Sequence, residues 1–233
     1  MSVYSAQQSG QSVMKKSGFA IDMPSGEGWY PFVMTFNAGG FREWSGIDAD
    51  MSIMYNFGAF DAWTRTSSIY DRGSDRYSSF YGAYAVKQRE GMFGFSEADM
   101  DVYNVSAAVE FDYTVLVMRA FGCDDPVFAA DDFVIKKNAD IAGSGGWTRI
   151  DAAITANGCA HNYKGYKQPY LQYGRPMAKA DEDFAEVDMY GRVYAKYFEE
   201  YGCTVMLYVI APDKGVIESC DNEILKKTVI RGL

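Results

Sequence analysis

Histidine is nearly missing from this chain: among 233 residues there is one, His161. Any Ser–His, Cys–His or histidine-base mechanism must therefore run through that residue. Cysteine is scarce and scattered. Cys123, Cys159, Cys203 and Cys220 form no Cys-x-x-Cys pair, and only Cys159 lies close to His161. That spacing does not build a structural zinc site, and no metal is expected. On an extended strand Cys159 and His161 would share a face about 6–7 Å apart, too far for a nucleophile–base hydrogen bond.

Positive charge is in deficit, with 22 Lys and Arg against 31 Asp and Glu, a formal net charge of −9. Nucleic-acid binding draws on Lys and Arg contacts to phosphate, and an anionic membrane surface attracts the same residues, so neither is an expected partner. No apolar run approaches the about 18 residues of a membrane span. Residues 1–10 lack the apolar core of a secretion signal, so a cytoplasmic location is the expectation.

Nucleotide signatures are absent too. Gly143-Ser144-Gly145-Gly146 is not followed by the Lys-Ser/Thr of a phosphate loop, and no Gly-x-Gly-x-x-Gly opens a helix after a strand. No cofactor is expected. Asp71–Asp75, Asp124-Asp125 and Asp131-Asp132 lack the alternating pattern of a calcium loop. Gly94-Phe95-Ser96-Glu97-Ala98 lacks the second glycine of a nucleophile elbow, and Ser96 reads instead as the start of a capping box with Asp99.

What the chain has in plenty is aromatic residues: 18 Tyr, 15 Phe and 4 Trp, with 48% hydrophobic residues overall. A packed core is within reach, and the length suits one domain. Residues 1–17 read as a flexible N-terminal segment and 18–233 as a single domain. The clearest local signal spans Asp181–Pro212. Phe184, Val187, Tyr190, Tyr194, Tyr197, Phe198 and Tyr201 recur every three or four residues, which predicts a helix capped by Asp181 and closed by Gly202. Cys203–Ala211 is apolar without alternation and predicts a strand covered on both faces.

Upstream, Tyr30–Phe36, Asp50–Phe60 and Phe80–Lys87 read as strands. Met100–Ala108 reads as a helix, with Asp112 capping a second one that ends at Gly122. Phe133–Ile141 and Trp147–Ala156 flank the glycine turn at 143–146. Asn157-Gly158 signals a second hairpin with a return strand Cys159–Tyr163. Tyr170–Tyr173 reads as a short strand and Val216–Lys227 as a final helix. The expected fold is α+β, a mainly antiparallel mixed sheet with a few helices packed on it; the alternative is α/β with more parallel strands.

Two functional readings follow. In the first, the chain is a non-catalytic binding or interaction protein for a small molecule, a glycan or a protein. Its ligand surface lies in the aromatic stretch Asn162–Tyr170, where Tyr163, Tyr166 and Tyr170 offer ring faces and Lys167 a donor. The rival is a hydrolase-like enzyme in which Asp213, just past the apolar strand, assists His161. An assembly through an exposed sheet edge is a third possibility. Oligomeric state is open.

Overall fold

The computed structural model describes residues 12–24, 34–58, 60–61, 63–91, 93, 101–161, 174–177, 181 and 183–233. In chain order the elements are α1 (Val13–Lys16), β1 (Phe19–Asp22), β2 (Met34–Asn37), α2 (Phe41–Ser45), β3 (Ala49–Phe57), β4 (Phe60–Asp61), β5 (Thr66–Ser67), a 3-10 turn (Ser68–Tyr70) and β6 (Phe80–Gln88). There follow α3 (Val102–Phe111), a π-helical stretch (Asp112–Met118), α4 (Arg119–Phe121), β7 (Phe128–Ile141), β8 (Ser144–Asn157) and β9 (Arg175–Pro176). The chain ends with β10 (Glu186–Phe198), β11 (Cys203–Ala211), α5 (Lys214–Glu223), a 3-10 turn (Leu225–Lys227) and β12 (Val229–Gly232).

Seven strands form the main sheet in the order β2-β3-β6-β11-β10-β8-β7, every pairing antiparallel. A ribbon of β1 and β12 and a small sheet β4-β5-β9 complete the strands, and the β5–β9 pair is parallel. The fold is α+β. No described helix is long and apolar enough to cross a membrane.

The centre of the sheet is buried on both faces, and the alternation along its strands assigns each residue to a side. Phe80, Tyr84 and Val86 of β6, Met206, Tyr208 and Ile210 of β11, and Met189 and Val193 of β10 face the rod formed by α3, the π-helical stretch and α4. Tyr81, Ala83, Ala85, Val205, Leu207, Val209, Tyr194 and Phe198 face the opposite way, onto α1, α5 and the β1–β12 ribbon. β11 has all nine residues buried, as a strand with neighbours on both edges and layers on both faces must. The end of the N-terminal segment belongs to this second layer. Val13 and Met14 are buried, and the Val13 amide donates to Ser52 Oγ at 2.7 Å.

The helix expected over Asp181–Tyr201 does not form. Residues 186–198 are β10, paired with β8 on one edge and β11 on the other. The physical reason lies in the spacing itself: intervals of four, as in Tyr190, Tyr194 and Phe198, are also multiples of two, so those rings share one face of a strand as readily as one face of a helix. Long-range pairing along both edges decided between the two. Gly202 still closes the element with a positive φ of 59°, but as a hairpin turn into β11. Gly191 has a packing role, because a Cβ there would come within 2.7 Å of Ile154 Cδ1.

Three other expectations change. Asp101, not the Ser96–Asp99 box, caps α3, accepting from the amides of Tyr103 and Asn104; residues 96–99 lie outside the described residues. Asp112 caps nothing and lies inside a continuous helical rod. Asn157-Gly158 makes no hairpin: the Asn157 side chain accepts from the Val127 amide and donates to the Phe184 carbonyl, ending β8 there. The glycine turn between β7 and β8, the strand β11 and the C-terminal helix form as expected. The stretches Tyr170–Tyr173 and Tyr30–Val33 lie outside the described residues.

Candidate functional site

Asp112 is the feature of the first face that the fold alone does not explain. Its side chain enters an apolar layer and is 3% exposed. It sits at the start of the π-helical stretch, a wider winding that recurs at functional positions in helices. Two phenols meet it. Tyr84 Oη donates to Asp112 Oδ2 at 2.8 Å and Tyr208 Oη donates to the same oxygen at 3.0 Å. Asp112 Oδ1 is buried and has no hydrogen-bond partner among the described residues.

The sheet register explains why the two phenols converge. Tyr84 is opposite Met206, so Tyr208 is its diagonal neighbour across β6 and β11. Gly82 is opposite Tyr208 and leaves space over β6. The rings stack with centroids 4.4 Å apart and planes 4° from parallel. Burial pushes the Asp112 carboxyl up to about 6, with the two phenol bonds pulling the other way. Burial, then the neighbouring carboxylate, holds the Tyr84 phenol well above its ordinary range.

A separate feature of this face is an apolar crevice between α3 and the sheet. Val102, Val105, Ser106 and Val109 line it from the helix, and Ile150, Ala152, Ile154, Gly191, Val193 and Ile210 from the sheet. Phe128, Ala130 and Phe133 of β7 complete the lining. It holds about 370 Å³ of empty space counted out to its mouth. Near Phe133 the edge strand is irregular. The register shifts between Asp131 and Val134, and Asp132 has a φ of 50°. Tyr103, 77% exposed, meets the Phe133 ring edge-on.

None of Asp112, Tyr84 and Tyr208 lines the crevice, though Tyr208 stands on the same strand as Ile210, which does. Val109 precedes Asp112 by one helical turn. Val193 is the register partner of Tyr208, and Ile210 follows Tyr208 on the same face of β11. Aliphatic walls of this kind can hold an apolar group.

His161 is buried, its ring edge-on to Tyr70 at 5.9 Å and its amide donating to the Asp181 carbonyl at 2.9 Å. Asp213 is exposed and caps α5, accepting from the amides of Gly215 at 2.6 Å and Val216 at 3.4 Å. The two residues therefore serve different elements, Asp213 heading a helix of the second layer and His161 resting on Tyr70 in the first. Cys159 is buried, and burial pushes its thiol far up, which leaves little thiolate for attack. Tyr163, Tyr166, Lys167 and Tyr170 lie outside the described residues. The residues flanking that stretch both meet Tyr70: His161 by its ring, and Gly174 through its carbonyl, which accepts from Tyr70 Oη at 3.4 Å. Among the described residues no group of His, Cys, Asp or Glu could hold a metal ion.

The sequence reading missed Asp112, Tyr84 and Tyr208 as a unit. One signal was present: Glu110 and Asp112 are the two carboxylates inside the mostly apolar run Val105–Met118, and no helix end requires Asp112. No family model, no curated protein and no solved structure matches this chain.

Proposed function

We propose that this is a binding protein that takes a small, largely apolar molecule into the crevice between α3 and the sheet. The observation that supports it is the lining: of the described residues around the space, Ser106 alone carries a polar side chain. Water finds no polar partners on such walls, so an apolar group is the better-matched occupant. Much of that space is open mouth and the enclosed part is small, which favours a slender apolar group over a larger ligand.

Toluene is a direct probe. Calorimetric titration is expected to show saturable binding to the wild-type protein. Ala152→Leu is expected to abolish it, because Ala152 lies opposite Gly191 on the crevice floor and a larger side chain fills the space. The melting temperature of that variant should move little, since the added methylenes enter empty volume. Absence of toluene binding to the wild type, or unchanged binding in Ala152→Leu, would overturn the reading.

A further inference from the structure

We infer that β7 is a self-pairing edge whose partner is the β7 of a second copy of this chain, set antiparallel so that Val134 lies opposite the partner's Val134. β7 ends the main sheet, and no described strand pairs with its outer side. It is 14 residues long. The edge of such a strand presents a row of outward amides and carbonyls, which is a template for another strand. The middle of β7 is apolar where an edge left to solvent would be polar: Val134 is 52% exposed and Ile135 44%.

The charges select both the partner and the register. Asp131 and Asp132 precede the apolar pair Val134-Ile135, Lys136 and Lys137 follow it, and all four are exposed. The two-fold that sets Val134 opposite itself also sets Phe133 opposite the partner's Ile135, Asp132 opposite the partner's Lys136 and Asp131 opposite the partner's Lys137. Each charge meets the opposite sign, and each contact occurs twice. A parallel alignment would set acid on acid and base on base. A two-residue slip of the antiparallel pair would set Val134 against the partner's Lys136 or Asp132. Charges and bulges also serve to keep edges apart. What distinguishes this edge is that its charges are of opposite sign on the two sides of an exposed apolar centre. The register with β8 shifts between Asp131 and Val134 and again between Lys136 and Ala139, with Asp132 at a φ of 50° and Asn138 at 59°. These bulges confine regular backbone pairing to the stretch around Val134–Lys136, so the product is a short, closed two-fold dimer and not a growing fibre.

Sedimentation equilibrium of the full chain between about 1 and 300 μM tests this, because a small self-interface dissociates in the micromolar range. The wild type is expected to pass from monomer to dimer across that range. The double variants Asp131→Lys/Asp132→Lys and Lys136→Asp/Lys137→Asp are each expected to stay monomeric, since like charges then face each other across the two-fold. A 1:1 mixture of the two variants is expected to form a heterodimer, because every clash within each variant becomes an opposite-charge pair between them. Melting temperatures near that of the wild type verify that both variants are folded, as expected for exposed substitutions. A wild type that stays monomeric throughout, a dimer that persists in either variant, or a mixture that does not associate overturns the inference. The toluene titration remains the separate test of the crevice.

Discussion

Each face of the sheet buries a carboxylate, and the two are treated differently. On the second face Asp221, fully buried on α5, takes a bond from Arg192 at 2.7 Å and meets Lys226 at 3.0 Å. Arg192, itself 4% exposed, also reaches Asp151, its register partner on β8, at 2.7 Å and Glu218 on α5 at 2.6 Å. On the first face Asp112 has two phenols and, among the described residues, no cation. Among the described residues neither carboxylate has every lone pair satisfied, so the difference between them is charge. The compensated site clamps α5 to β8 and β10. The uncompensated one rests on Tyr84 of β6 and Tyr208 of β11. A buried charge without a counter-charge is costly to fold around.

Removing the clamp is the largest test of this contrast. Arg192→Met leaves Asp221 buried with Lys226 alone, and a loss of about 3–5 kcal/mol is expected from urea denaturation. A loss below about 1 kcal/mol would mean the cluster is no clamp, only a set of surface-like pairs.

The same experiment on the first face should have the opposite sign. The Asp112 carboxyl titrates higher in the folded chain than in the unfolded one, so its contribution to stability is present at low pH and is lost as pH rises to about 6. Asp112→Asn is therefore expected to stabilise the free protein at neutral pH by up to about 3 kcal/mol, and the buried amide donors will reduce that gain. Denaturation of both proteins between about pH 4 and 7 should give curves that diverge as pH rises. Parallel curves would show that the carboxylate is not the strained group described.

A smaller effect tests the packing around the first layer. A Cβ at Gly158 would come within 2.0 Å of Tyr77 Oη and 2.9 Å of Val187 Cγ2. Gly158→Ala is expected to cost about 1–3 kcal/mol, read as a lowered melting temperature. An unchanged melting temperature would show that this corner yields, unlike the close-packed layer beside it.

The legible parts of the fold were those set by local chemistry. Glycines at 143–146 marked a hairpin, and the β7–β8 turn has Ala142 and Gly143 at positive φ. An apolar run without alternation marked β11. Val216–Lys227 read as a helix and α5 forms there, headed by Asp213, whose carboxylate accepts from the Gly215 and Val216 amides. β10 was illegible because its ring spacing fits both periods. The candidate site was illegible for a stronger reason. Tyr84 and Tyr208 reach Asp112 across sequence separations of 28 and 96 residues, and nothing near any of the three names the others.

By itself, the sequence determined the class of the protein: enough apolar and aromatic residues for a two-sided core, a charge balance unsuited to phosphate, one histidine, and turns that punctuate long strands. The tertiary structure decided which carboxylate would be isolated and where the space would remain. Strand register places two phenols on one oxygen and an arginine on the opposite face, and register is a property of pairs of strands that no single stretch of chain contains.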